Sequence, residues 1–243
     1  MQDKIQLEQH TPLQSILLHL LPGLLITAGY FVLIGPLGRS GYPSIMALML
    51  PIVFILIPLQ LGYLLVQGKR INGRYSLQGV VSYRQSIPTW QYFLWVPLLF
   101  VAAGLVFTFL KPLDSFLQQN VFGAWPFLQS GLEGGFSKGP LIVTYSMVAI
   151  FGMVLGPVVE ELYFRGYLLP RMGYAGKWAP LLHSFLFAVY HFFTPWMFIT
   201  RTLAMLPLIY SVQRKNIYLS IITHVLLNSI DVIVAVVFIA SMI

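Results

Sequence analysis

Met153-Val154-Leu155-Gly156-Pro157-Val158-Val159-Glu160-Glu161-Leu162-Tyr163-Phe164-Arg165-Gly166 closes a long apolar run with two adjacent carboxylates. A charge at membrane depth costs at least ~2.5–3.5 kcal/mol and is rare unless it is paired or functional. The chain has seven acidic residues in all and sets two of them side by side here. The stretch therefore marks both the type of protein and the place where chemistry is expected.

The composition around it is that of a membrane protein. Hydrophobic residues make up 58% of the chain and charged residues 9%, with a mean hydropathy of +0.80. A soluble domain carries roughly 25% charged residues, so this surface cannot be wetted all round. There is no cysteine, which excludes disulfides, thiolate metal sites and a thiol nucleophile. The net charge of +7 is not arranged as basic runs interleaved with aromatics, so it is read as membrane topology and nucleic acid is not an expected partner. The first ten residues are polar and mixed in charge, and no signal peptide is expected from them.

A spanning helix needs about 20 apolar residues. Candidates fall at Ile16–Gly35, Tyr42–Val66, Gln91–Leu110, Pro140–Leu169, Ala179–Pro195, Trp196–Val212 and Ile217–Ile243. The expected fold is all-α, a polytopic bundle of about seven (six to eight) transmembrane helices, with the site in the C-terminal half. The 243 residues form a single integral membrane domain (1–243), and residues 140–231 bear the catalytic motifs. The fifth and sixth candidates are short and nearly fused at Thr194-Pro195-Trp196, so one of them can be only half-spanning. The fourth is long enough to tilt or to emerge from the bilayer.

This arrangement puts ten Lys and Arg residues, Lys4 among them, on the side of the N-terminus. Arg39, Lys111, Lys138 and Arg201 fall on the other. The bias predicts a cytoplasmic N-terminus. Leu113 to Phe122 reads as an amphipathic stretch at the interface, and Gly131 to Gly139 as a flexible loop. Short loops and the lack of a targeting segment favour a prokaryotic plasma membrane.

Three motifs carry polar groups at helical spacing: Glu160-Glu161-x-x-x-Arg165, Phe187-x-x-x-His191 and His224-x-x-x-Asn228. Glu161 and Arg165 are four apart in the favoured order and can pair, leaving Glu160 to face another helix. Taken alone, the first motif is equally an ion-paired helix end, and a single membrane histidine is most often a helix–helix hydrogen bond. Together they support more. Glu and His can bind and deprotonate water, and His and Asn can donate to an oxyanion. Glu with two His is also a familiar zinc set, and spacing alone does not separate these uses. Naive depth counting puts His191 near the outer end of its helix and Glu160 and His224 in the opposite half. Convergence then requires that helix to be displaced or partly outside its assigned span. His183 shares a helical face with Phe187 and His191 and is expected to make a polar contact on the N-terminal side. Asp231 is expected to support the third motif or bond a neighbouring helix. His10 and His19 are expected at the interface, and Arg201 is expected to snorkel to the outer face.

These three motifs, in this order, resemble the CAAX-protease and bacteriocin-processing family (CPBP, or Abi) of intramembrane proteases, related to the CAAX prenyl endoproteases. Gly156-Pro157 before the glutamates and Phe164-Arg165-Gly166 after them match the family's usual surroundings, and the resemblance runs from Pro140 to Asp231. It implies a hydrolase acting on membrane-embedded or lipidated peptide substrates. Glu160 would be the general base, His191 would help to hold the water, and Glu161 and Arg165 would support the site. His224 and Asn228 would form the oxyanion hole. No cofactor is expected. Many members carry a metalloprotease label, so zinc is the fallback, with Glu160, His191 and His224 as its ligands. The competing readings are a non-catalytic binding or immunity protein of the same family and a small proton-coupled transporter. The lack of an internal repeat counts against the transporter.

Overall fold

The computed structural model describes residues 7–126 and 128–242. Lys4 and Ile243, counted above in the charge bias and the last span, lie outside the described residues. The described chain is all-helical, with seven principal helices. These are α1 (Pro12–Arg39), α2 (Ser44–Asn72), α3 (Thr89–Asn120), α4 (Lys138–Arg171), α5 (Ala179–Tyr190), α6 (Phe198–Arg214) and α7 (Ile217–Ser241). Five of them, α1 to α4 and α7, are long and apolar enough to cross a membrane. With this composition the chain is an integral membrane protein. Its outward faces fit lipid: Phe54, Phe93 and Phe109 are all more than 70% exposed.

The fifth and sixth candidates do not both span. Helix α5 has 12 residues, about 18 Å of rise against a ~30 Å hydrocarbon core. It stops at Tyr190, and the chain turns back through residues 191–197 into α6, of 17 residues. The turn is packed inside the bundle, with Phe193, Thr194 and Trp196 buried. Ser184 Oγ donates to Thr202 O at 2.6 Å and ties the two arms of this hairpin together. The short α5 removes the difficulty over depth. By axial rise, Glu160 lies ~16 Å from the end of α4 at Arg171, His191 lies ~18 Å along α5, and His224 lies ~10 Å into α7. All three helices have these ends on the same face, so the three motifs meet at similar depth.

Helix α3 also departs from expectation. Leu113 to Asn120, read as part of a separate interfacial stretch, continues α3 through Pro112. The reason is Asp114, which is buried and accepts a hydrogen bond from Thr200 Oγ1 of α6 at 2.6 Å. A buried carboxylate with an inward partner holds the helix past the end of its apolar run.

Helix α4 is neither uniform nor free at its end. It contains wide i→i+5 turns over Val148–Leu155 and Glu161–Leu168, on either side of the short α-helical piece Gly156–Glu160. Pro157 removes a backbone donor between them. Such wide turns recur at functional sites. The segment Tyr163 to Leu169 is buried by protein instead of emerging. Helix α7 is fixed at its start: Asn216, fully buried, caps Leu219 N at 3.2 Å and donates to Gln85 O and Tyr92 OH.

The end of α5 is set by a close approach. A Cβ on Gly23 of α1 would lie 1.9 Å from Tyr190 O. Only glycine admits that contact, which seats α1 against the residue preceding His191. Gly23→Ala is expected to destabilise the protein by ~1–3 kcal/mol through overpacking. Thermal unfolding in detergent checks this, and unchanged melting would mean that the two helices part without cost.

Candidate active site

Glu160, Glu161 and Arg165 come from α4, Tyr190 and His191 from the end of α5, and Ser220, His224 and Asn228 from α7. Glu161 is fully buried and saturated with partners. Its Oε1 lies 3.4 Å from Arg165 Nη1 and 2.9 Å from His224 Nδ1, and its Oε2 accepts from Ser220 Oγ at 2.6 Å. The i,i+4 pair with Arg165 lies within a wide turn, where residue i+4 comes back almost beneath residue i. The Arg165 guanidinium also lies over the Phe187 ring, 3.7 Å from its centroid.

Glu160 faces the other way, as residues about 100° apart on a helix must. Its Oε1 accepts from Tyr190 OH at 3.0 Å, and Gln60 of α2 donates in turn to that hydroxyl at 3.3 Å. Its Oε2 lies 4.0 Å from His224 Nε2. Because a carboxylate only accepts, the His224 nitrogen bonded to Glu161 carries a proton. The opposite nitrogen is thereby aimed at Glu160.

His191 closes the site from the α5 end. Its Nδ1 lies 2.8 Å from Phe187 O, which fixes that nitrogen as the donor and leaves Nε2 as the acceptor. Phe187 sits between the histidines, with ring centroids 4.9 Å from His191 and 6.4 Å from His224. Asn228 lies one turn beyond His224 and donates to Gly152 O of α4 at 2.9 Å. One of its two amide protons is thus engaged in joining α7 to α4, and His224 takes Glu161 as its partner.

Residues outside the motifs take part, and others leave it. Tyr190, Ser220 and Gln60 contact the glutamates or their partners, although sequence reasoning did not single them out. Ser220 is one turn before His224, and Gln60 is an amide in an otherwise apolar span; those were the available signals. Arg201 does not snorkel outward. It donates to Thr194 O at 3.2 Å in the buried turn after His191, and its charge acts on His191. His19 is fully buried, not interfacial, and bonds His183. His10 lies in a cleft on the N-terminal face, where its ring packs on Tyr167. Asp231 is exposed on α7.

As arranged, Glu160, His191 and His224 do not form a ligand set. Among the described residues no three His, Asp or Glu side chains are placed to hold a metal ion.

The site is a buried carboxylate–imidazole cluster between helices of a membrane bundle. Residues 142–230 match the family described as Type II CAAX prenyl endopeptidase Rce1-like. The matched segment holds all three motifs and none of α1 to α3. No curated protein and no solved structure matches the chain.

Arg165→Ala is expected to lower stability by ~3–5 kcal/mol, because it strands the buried Glu161 charge. Adding Glu161→Gln should restore much of the loss. Thermal unfolding of the single and double variants checks both. Unchanged melting with lost activity would instead place Arg165 against substrate.

Proposed function

We propose that the protein is an intramembrane endopeptidase that cleaves membrane-associated, lipidated CAAX-like tails by means of a water activated by Glu160. The observation that carries this reading is the 4.0 Å gap between Glu160 Oε2 and His224 Nε2. Two hydrogen bonds of ~2.8 Å to one water oxygen span such a gap. The other oxygens of the glutamate pair are engaged by Tyr190, Ser220, His224 and Arg165. Glu160 Oε2 is the one turned toward the gap.

In this mechanism Glu160 takes a proton from the water as its oxygen attacks the scissile carbonyl carbon, and returns it to the departing amine nitrogen. Tyr190 holds the carboxylate in place, and His191 Nε2 supplies a further acceptor for the water. Glu161 orients His224 through Nδ1, much as a buried acid orients the histidine of a hydrolytic triad. With both ring nitrogens protonated, His224 Nε2–H donates to the tetrahedral oxyanion, joined by the free amide proton of Asn228. The expected partners are the bilayer and a lipidated or membrane-embedded peptide. The face that bears the N-terminus is assigned to the cytoplasm from its basic residues, and a prokaryotic plasma membrane is the proposed location. A cleft of about 330 Å³ opens there, lined by His10, Gln14, Leu18, Tyr63, Arg70 and Tyr167. Glu160, Tyr163 and Tyr167 follow one another along one side of α4, so the cleft lies in line with the site.

Glu160→Gln keeps the shape of the side chain and the bond from Tyr190 but removes the base. Release of the C-terminal tripeptide from a farnesylated CAAX peptide, followed by mass spectrometry, should fall by ~10²–10⁴-fold or more with melting unchanged. Full activity in this variant would remove Glu160 from the mechanism, and no release by the unaltered protein would remove this substrate class.

Activity is expected without a bound metal. Elemental analysis of active purified protein tests this. Stoichiometric zinc, lost with activity in chelator and regained on re-addition, would recast Glu160, His191 and His224 as ligands.

A further inference from the structure

Behind Arg165 lies a second buried polar cluster that contains none of the motif residues. His19 of α1 and His183 of α5 are fully enclosed, and His19 Nε2 lies 2.9 Å from His183 Nδ1. The protons of this pair can be placed from their partners. His19 Nδ1 lies 2.6 Å from Ser15 O, and a carbonyl oxygen only accepts, so His19 Nδ1 carries a proton. Neither ring pairs with a carboxylate among the described residues, so both are neutral. His19 Nε2 is then a bare acceptor, and His183 Nδ1 must donate to it. That leaves His183 Nε2 as a bare acceptor too. It is buried, with no hydrogen-bond partner among the described residues.

Arg165 presents the complementary need. All three of its nitrogens are buried and without a hydrogen-bond partner among the described residues; its link to Glu161 is an ion pair at 3.4 Å. Its guanidinium lies over Phe187, one turn along α5 from His183. The preceding residue, Phe164, packs its ring 5.6 Å from His19 and 6.4 Å from His183. The Arg165 charge acts on both imidazoles. Unused donors and an unused acceptor thus share one buried region, where native proteins seldom leave such groups unmatched.

We propose that His19 and His183 are positioning residues for Arg165. His183 Nε2 accepts from the guanidinium through one bridging water. One path of hydrogen bonds and an ion pair then runs from Ser15 through His19, His183, Arg165 and Glu161 to His224, linking α1, α5, α4 and α7. Its catalytic consequence rests on the reading of Glu160, Glu161 and His224 given above. The path sets the orientation of the guanidinium, which sets the Glu161 carboxylate, which in turn aims His224 at Glu160. Helix α1, which the family match does not reach, thereby takes part in the site.

Two measurements test this, and they fail separately. The first needs no activity. Nitrogen-15 NMR of the full-length protein with labelled histidines, assigned with His183→Gln, should show His183 protonated at Nδ1 and hydrogen-bonded at a bare Nε2. The Nε2 signal should shift in Arg165→Lys. A proton on His183 Nε2, or no response to Arg165→Lys, overturns the proposal whatever the protein cleaves. The second uses peptidase assays on a farnesylated CAAX peptide. Outer hydrogen-bond partners in metal sites are commonly worth about 10–100-fold, and His183→Leu should lower kcat about tenfold with KM little changed. His183→Gln, whose amide oxygen can accept from the bridging water, should recover most of that loss. His183→Leu combined with Arg165→Lys should be no slower than Arg165→Lys alone. Equal activity in the Leu and Gln variants, or additive losses in the double variant, overturns the proposal. Inactivity of the unaltered protein would count against the protease reading and leave the NMR result to decide the relay.

Discussion

The Glu161 carboxylate is the constraint on which the site depends. Fully buried, it is stabilised only by the partners the fold brings to it, and they come from two helices. Arg165 is supplied by α4 itself, while Ser220 and His224, one turn apart, come from α7. Two bonds from one face of α7 to the two oxygens of one carboxylate fix both the rotation of α7 and its height against α4. The direction of His224 Nε2 follows, as does the position of Asn228 beside Gly152. Breaking a buried ionic group by removing one partner is costly because the remainder stays buried and charged. That cost holds the helices in register.

Phe187 does for the apolar side what Glu161 does for the polar side. Its ring carries the Arg165 guanidinium on one face and packs near both site histidines. Its carbonyl accepts a hydrogen bond from His191 Nδ1–H. One residue thus sets the tautomer of His191, spaces it from His224 and covers the charge of Arg165. The brevity of α5 makes this possible, since a full spanning helix would carry the residue after Tyr190 to the far surface.

Much of this was legible in the chain. The i,i+4 spacing of Glu161 and Arg165 announced their pairing, and the adjacency of Glu160 and Glu161 announced that they would diverge. Hydropathy located the long helices. It could not locate the hairpin, because an apolar segment buried against protein has the same composition as one buried in lipid. No glycine or proline marks the break at Tyr190-His191; Pro195 comes four residues later. Pro112 and the charges beside it made α3 look finished before it was, since nothing in the sequence says that Asp114 meets Thr200. Ser220 escaped notice because a serine hydroxyl in an apolar helix usually satisfies itself on its own backbone, and Tyr190 because a tyrosine in an apolar helix reads as a packing residue. Arg201 was read from its position in the chain, and position does not show which way a long side chain turns.

The order of the partners along the chain bears on how the protein is made. Glu161 and Arg165 leave the ribosome almost together, so that charge can enter the bilayer already matched within its own helix. Glu160 has no such companion on α4. Its partners, Tyr190 and His224, are synthesised 30 and 64 positions later. Until they arrive, Glu160 has no partner beyond its own helix. Assembly of α5 and α7 supplies the hydroxyl and the imidazole that face it, so a chain halted before α7 would leave this carboxyl without the partners that place it.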